Sequence, residues 1–326
     1  MKSFNAVMRT VAVGVLMTVA GAVAAQHDYP SRPIRIIVPY PPGGSVNFLA
    51  RLIDQKLAER LGQQVIVDNR GGGNTVIGAD LAAKSPPDGY TLLLAGSTQA
   101  ALPSLYRNMP YDIINDFSPV ATIARSEFVL VVNPSIPANT VQEFIALAKS
   151  KPGQLNYASS STGGPTHLGA VLFEMLTGVK MQHIPYKGGG PAIIDIMGGQ
   201  VQLGFANPAN VIPFIKSGKL KAIAVSGETR LAALPQLPTF TEAGLPGMAL
   251  RNWYGIVVPA GTPKPIIDKL ATEIGKILAL PSIGKALANQ GLDAFISTPE
   301  QLGTLMKTEK ARIAKIIKAA NITIQQ

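Results

Sequence analysis

The segment Ile34 to Ile53, IRIIVPYPPGGSVNFLARLI, constrains the fold more than any other stretch of the chain. Ile34, Ile36, Ile37 and Val38 form a short β-branched run, and Pro41, Pro42, Gly43 and Gly44 stop it. Phe48, Leu49, Leu52, Ile53 and Leu57 then recur at helical spacing. A strand, a Pro/Gly/Ser loop and an amphipathic helix thus follow in order. Such a loop aims backbone N–H groups and the positive end of a helix dipole at whatever lies above it, which suits an anion. The segment alone leaves open whether that anion is transformed or only held.

The alternation continues along the chain. Strand-like runs are Ile34–Val38, Val65–Asp68, Thr91–Ala95, Val120–Ile123, Phe128–Asn133, Leu155–Ala158, Met181–Ile184, Leu203–Phe205, Leu220–Ser226 and Tyr254–Val258. Helix-like runs are Asn47–Leu61, Val76–Lys84, Val141–Ser150, Thr166–Gly178, Gly190–Gly198, Val211–Ser217, Lys264–Ala279, Ile283–Gln290 and Glu300–Ala320. Continuous apolar strands between helices predict an α/β fold with mostly parallel sheets.

The second half replays the opening theme. Leu155–Ala158 runs into Ser159-Ser160-Ser161-Thr162-Gly163-Gly164-Pro165, and the next helix carries Leu168, Val171, Leu172, Met175 and Leu176 on one face. In open α/β sheets, ligands bind at the carboxyl ends of the strands. Two facing sheets would set both loops across one cleft, a hinged clamshell. Either loop alone reads equally well as an ordinary helix start, where Ser, Thr and Gly are common. Their matching places in the two halves are what point to a ligand.

The first residues, MKSFNAVMRTVAVGVLMTVAGAVAAQ, read as a secretory signal peptide over 1–25: Lys2 and Arg9, then an apolar run, then small residues at a cleavage site after Ala24 or Ala25. The apolar run is shorter than the roughly 18 residues a membrane span needs. About 300 residues then remain, enough for two domains. The chain has no Cys, which removes disulfides, thiol catalysis and Cys-ligated metals and fits a periplasmic location. Net charge is +10, or +8 once Lys2 and Arg9 are removed (10 − 2). The Lys and Arg are scattered, with no dense basic run and few interleaved aromatics, so the surplus reads as a solvated basic surface, not a nucleic-acid site, and mildly favours encounter with anions.

Catalytic motifs are missing. Gly71-Gly72-Gly73 lacks the third glycine of a dinucleotide loop, because position 76 is Val, and no phosphate-loop GxxxxGK[ST] occurs. Gly43-Gly44-Ser45-Val46-Asn47 falls one residue short of a nucleophile elbow, with Asn47 where Gly is needed. The three His are His27, His167 and His183. His167 opens the second-half helix and reads either as a capping residue or as a donor to an anion beside the Ser159–Thr162 loop. Neither a metal-ligand cluster nor a carboxylate pair set for acid–base work is evident. The sequence offers binding groups without an evident nucleophile, base or cofactor loop.

Many ordered short motifs carry a resemblance. They include Tyr29-Pro30-Ser31-Arg32-Pro33-Ile34, Ile37-Val38-Pro39, Pro42-Gly43-Gly44, Val67-Asp68-Asn69-Arg70, Pro87-Asp88-Gly89-Tyr90-Thr91-Leu92-Leu93, Pro185-Tyr186-Lys187-Gly188, Trp253-Tyr254-Gly255 and Pro259-Ala260-Gly261-Thr262-Pro263. Through them nearly the whole mature chain resembles the Bug (Bordetella uptake gene), or TctC-like, solute receptors of tripartite tricarboxylate transport systems. The resemblance implies a periplasmic, type II-like clamshell of two α/β domains: 26–127 plus 254–326, and 128–253. It implies a small carboxylate ligand, no cofactor or metal, a membrane permease as partner, and a monomer. The implied ligand-binding residues are Tyr40, Pro42, Gly43, Gly44, Ser45, Asn47 and Ser97 from the first domain, and Ser160, Ser161, Thr162, Gly163, His167 and Asn207 from the second. Phe128–Val132 and Trp253–Val258 are the expected hinge strands, with Trp253, the only Trp, as a reporter of closure.

Two departures from the family pattern stand out. Asn47 replaces an Asp usual after the Pro-Gly-Gly loop, and Ala206 replaces an Asp common in its turn. Both remove negative charge, which disfavours a ligand ammonium and points to di-, tri- or aromatic carboxylates over amino acids. An exported enzyme acting on a carboxylate, and a receptor presenting its ligand to a membrane sensor, are the rival functional readings.

Overall fold

The computed structural model describes residues 29–248 and 250–319. The expected signal peptide and His27 lie outside the described residues. The chain runs β1 (Ile34–Val38), α1 (Ser45–Leu61), β2 (Val65–Asn69), α2 (Val76–Ala83), β3 (Thr91–Gly96), α3 (Ser97–Ala101), β4 (Phe117–Glu127), β5 (Val129–Val132), α4 (Val141–Ser150), β6 (Asn156–Ser159) and α5 (Pro165–Thr177). It continues with β7 (Gln182–Pro185), α6 (Gly189–Met197), β8 (Leu203–Ala206), α7 (Pro208–Lys216), β9 (Lys221–Val225), β10 (Arg251–Pro259), α8 (Lys264–Leu278), α9 (Pro281–Asn289), β11 (Asp293–Ala294) and α10 (Pro299–Ala319).

Two sheets form, in the orders β11-β4-β10-β3-β1-β2 and β7-β6-β8-β5-β9. The strands that feed the two small-residue loops are parallel to their neighbours: β1 to β2 and β3, and β6 to β7 and β8. The strands that tie the sheets together, β4, β10 and β5, pair antiparallel. A continuous apolar run gives no strand direction, so this mixture was not readable from hydropathy.

Both faces of the first sheet are covered. Ile34, Ile36 and Val38 pack with Leu49, Ile53 and Leu57 of α1 and with Leu270 and Ile274 of α8. Ile37, on the opposite face, packs with Leu93, Val257, Leu302 and Met306. Side chains alternate along a strand, so covering both faces requires the continuous β-branched run seen in β1. In the second sheet, Leu130 and Val132 meet Phe144 and Phe173, while Val129 and Val131 meet Ile193 and Ile196. Each such buried side chain contributes roughly 1.5–3 kcal/mol of transfer free energy. Truncating fully buried Ile36 to Ala would cost about 2–5 kcal/mol.

The chain crosses between the sheets at Phe128, which is buried between the end of β4 and the start of β5. It has returned by Arg251, since Arg251, Asn252 and Trp253 pair with Glu127, Ser126 and Arg125. Those three residues thus pair within the first sheet, ahead of the division expected at residue 254.

Some element limits also move. α1 begins at Ser45, because Gly44 at φ −92°, ψ 175° is its N-cap, and it ends at Gly62, left-handed at φ 68°. α7 begins at Pro208, not Val211, because the Asn207 side chain accepts from Ala209 N–H and Pro208 occupies the first turn. α3, with the sequence STQAA, has no apolar period and was missed.

Candidate functional site

The first wall is the β1–α1 loop and the elements beside it. Asn69 organises it: its Nδ2 donates to the Tyr40 carbonyl at 2.9 Å, and its Oδ1 accepts from Asn47 Nδ2 at 2.9 Å. Tyr40 donates its hydroxyl to Thr98 Oγ1 at 2.9 Å, and burial raises its pKa above the ordinary tyrosine range. Pro42 and Gly43 are exposed, Gly44 is half-buried, and Gly43 N–H lies 3.5 Å from Asn47 Oδ1. Ser45 is buried, and its Oγ has no hydrogen-bond partner among the described residues. Ser97 is also buried and accepts Trp253 N–H at 3.3 Å. Its hydroxyl thus supports β10 from the base of the wall.

A third loop, Gly72–Thr75, joins this wall. Asn74 and Thr75 take φ of 53° and 78°. Left-handed backbone is rare for a β-branched residue and costs on the order of 1–3 kcal/mol. Gln99 holds it in place: Nε2 donates to Thr75 Oγ1 at 2.9 Å, while Oε1 accepts Gly96 N–H at 2.8 Å. So placed, Asn74 reaches the other sheet's loop, and its Nδ2 donates to the Thr162 carbonyl at 3.1 Å.

The second wall is the β6–α5 loop. Ser160 N–H donates to Thr166 Oγ1 at 2.9 Å, and the two hydroxyls lie 3.0 Å apart. Ser161 and Thr162 are half-buried. Gly163 takes φ 71°, and its N–H donates to His167 Nδ1 at 2.8 Å. A Cβ on Gly163 would lie 1.9 Å from Leu105 Cδ1, so here the two halves touch closely.

Two expected ligand donors do other work. His167 is 5% exposed, and burial, with His183 beside it, drives its pKa down to about 3. The ring is neutral and brings no positive charge to an anion; its Nδ1 lone pair is spent on Gly163. Asn207 donates both amide hydrogens, to Ser126 Oγ and to Tyr254 Oη, each at 2.9 Å. It straps the second sheet to β4 and β10 and has no amide hydrogen left for a ligand.

The electrostatics are those of dipoles. Tyr40, Val46, Ser97, Thr98, Gln99, Asn252 and Tyr254 line a cavity of about 10 Å³, with no ionisable carboxylate or cation among them. That is close to the room of one water, and its lining comes from the first-sheet side alone. α1 and α5 begin at Gly44 and Gly164 without a side-chain cap and without an acid in the first turn. α2, α6, α8 and α9 share that lack, whereas α4 is capped by Thr140 and carries Glu143 in its first turn; what sets α1 and α5 apart is their place after the two small-residue loops. A roomier groove of about 320 Å³ follows residues 103–116; Arg107, Asp112 and Asp116 line it, Lys310 pairs with Asp112 at 3.2 Å, and no residue of the two small-residue loops takes part.

Residues 49–322 match the family model described as tripartite tricarboxylate transporter family receptor, TctC. The chain belongs to this receptor family. Protein BugT of Bordetella pertussis is 37% identical to the receptor over 310 residues, covering 94% of this chain and 95% of BugT. Among solved structures, R. palustris Rpa4515 with adipate superposes with a TM-score of 0.87 at 35% identity, covering 91% of this chain and all of that one. MatC from Rhodopseudomonas palustris with bound malate gives 0.82 at 29% identity, covering 89% and 100%. The two-sheet α/β architecture expected from the sequence is shared with these structures and with periplasmic binding protein BugD, which gives 0.84 at 32% identity, covering 91% and 100%.

Sequence reasoning missed Asn74, Thr75, Gln99, Ser126 and Tyr254. Gly71-Gly72-Gly73 is the sequence signal for the third loop, although it does not fit a dinucleotide pattern. Gln99 sits in the short α3, which periodicity does not reveal.

Proposed function

We propose that this receptor is exported to the periplasm by cleavage of a signal peptide, and that it captures a small carboxylate between two lobes and hands it to a tripartite tricarboxylate-type permease. Of the described residues, the first lobe takes 29–127 plus 251–319 and the second those within 128–250. One observation carries the reading: two uncapped, acid-free helix starts, α1 and α5, belong to opposite lobes whose rims are joined by Asn74 and Thr162.

The first-lobe contacts are the N–H groups of Gly43, Gly44 and Ser45 with the free Ser45 hydroxyl. The second-lobe contacts are the hydroxyls of Ser160, Ser161 and Thr162. Charge-assisted hydrogen bonds of roughly 1.5–3 kcal/mol each bring a few such contacts to a micromolar site near −8 kcal/mol. The closed form alone makes both sets, so ligand shifts the population towards closure. Adipate and malate in two relatives support a dicarboxylate here. The neutral Asn47 supports it over an amino acid, for it brings no negative charge to the β1–α1 loop; Ala206 is buried among apolar side chains of the second sheet. The site acts by holding, as a monomer and without catalysis.

Calorimetry with adipate, malate, benzoate and aspartate tests this, with native mass spectrometry of ligand carried through purification. Stoichiometric, unaltered carboxylate bound more tightly than aspartate is expected. Tighter binding of aspartate, or turnover of a bound carboxylate, would overturn it.

A further inference from the structure

His183 was not among the expected site residues, yet it lies against the binding loop. It stands opposite Tyr157 in the parallel β6–β7 pair, with Ser159 two positions further along β6. Its ring stacks on His167 with centroids 3.9 Å apart and planes 6° apart, and on Tyr157 at 5.0 Å and 21°. Tyr157 is buried in the second-lobe core, so the stack is anchored from below.

The hydrogen bonds fix the protons. Ser159 Oγ lies 3.1 Å from the Ser161 carbonyl and 2.7 Å from His183 Nε2. A carbonyl only accepts, so the single hydroxyl hydrogen goes to Ser161, and His183 Nε2–H donates to Ser159. His167 Nδ1 accepts Gly163 N–H, so its own proton sits on Nε2. His167 is thus the neutral Nε2–H tautomer, and between them the two rings grip Ser159 and Gly163, the two ends of the loop.

We infer that His167 and His183 are positioning residues, which hold the Ser159–Gly163 loop in its ligand-receiving shape as an uncharged stacked pair. The inference rests on the reading of that loop as the second ligand wall. The charges around the pair agree with neutrality. Glu174 of α5 is turned to Met181 N–H at 2.7 Å, Lys180 is exposed, and Tyr157 is a buried phenol whose pKa is raised. Burial also lowers the pKa values of His167 and His183, to about 3 and about 4. Protonating His167 on Nδ1 would replace an acceptor with a donor aimed at Gly163 N–H, so the grip needs the neutral ring.

Two variants separate positioning from direct ligand contact and from bulk stability. His167→Phe keeps a stacking ring and removes the acceptor; His167→Asn keeps an acceptor at the δ position and removes the ring. With adipate as probe, affinity of folded His167→Phe should fall tenfold or more, as expected when a buried N–H loses its partner. His167→Asn should stay within about threefold of the parent. Equal loss in both variants would make the imidazole a ligand contact, and no loss in either would make it packing; each overturns the inference.

The parent protein without ligand supplies the second arm. ¹⁵N imidazole shifts should report neutral Nε2–H rings from pH 8 to 5, with a slowly exchanging Gly163 amide. A His167 that titrates near 6.5, or a fast-exchanging Gly163, would also overturn it. If adipate does not bind the parent protein, the carboxylate reading fails and this second arm alone decides the role of the histidines.

Discussion

Replacing Gly163 by Ala should obstruct closure while leaving each lobe folded. The new Cβ would sit 1.9 Å from Leu105 Cδ1 and 2.9 Å from both Leu105 Cδ2 and Leu105 Cγ. The whole end of Leu105 must move, and Leu105 is buried, so it has little room to turn. Overpacking of this kind costs about 1–3 kcal/mol, and it arises only when the lobes meet. Gly163 also has φ 71°, where an L residue is strained by about 1–2 kcal/mol. That strain exists open and closed, so it lowers stability and leaves the closure equilibrium alone. A closure penalty of about 1–3 kcal/mol weakens ligand affinity roughly 5- to 150-fold. Calorimetry with adipate measures the affinity, and small-angle scattering measures the ligand-induced contraction. Leu105→Ala in the same chain removes the obstructing atoms and should restore much of the affinity, leaving a coupling energy in the double-mutant cycle. Unchanged affinity in Gly163→Ala, or failure of Leu105→Ala to restore it, would refute the reasoning.

Other expectations come from single groups. His167 has a folded pKa of about 3 against an ordinary 6.5, so the unfolded chain takes the proton first as pH falls. Its stabilising effect is complete above pH 6.5 and is lost between there and pH 3. About 2 kcal/mol should be gone by pH 5, read as the difference between parent and His167→Asn in urea titrations at pH 7 and pH 5. Arg251→Ala strips the 3.1 Å partner from Glu127, a buried carboxylate whose pKa burial already raises. Unfolding free energy should fall by about 1–3 kcal/mol at pH 7. The loss should shrink as pH drops and Glu127 protonates; a pH-independent loss would rule out the buried charge as its cause. Trp253 packs with Leu105 and with Leu168 of α5, and its Nε1–H has no partner among the described residues. Its emission should shift to shorter wavelength on ligand closure, and an unchanged spectrum with calorimetrically proven binding would exclude Trp253 as a reporter. Asn47→Asp places a carboxylate beside Gly43 N–H, so adipate should bind several-fold more weakly while aspartate gains relative to it; the ratio of the two affinities is the measurement.

Legibility in the sequence followed the range of the interactions. β1 and the β6–α5 unit could be read because their signals are local: a β-branched run covered on both faces, a Pro/Gly stop, and an apolar stripe at helical period. The two small-residue loops were legible for the same reason. The groups that set their shape were not, because each acts across the fold. Thr75 holds a left-handed backbone only because Gln99, on an element without periodicity, donates to its hydroxyl. Asn207 looks like a ligand donor in sequence, and three-dimensional pairing with Ser126 and Tyr254 consumes its amide. His167 follows the same rule. A His at a helix start reads as a possible cation, and burial beside a second histidine from another strand makes it a neutral acceptor. On the proposed reading the ends of the strands mark the ligand's place, while the charge it meets is set by partners distant in sequence. In this receptor the named partners are amides, hydroxyls and neutral rings. On that reading the opposing charge for an anion comes from the open starts of α1 and α5, an arrangement that favours ligands whose own charge is spread over oxygen atoms.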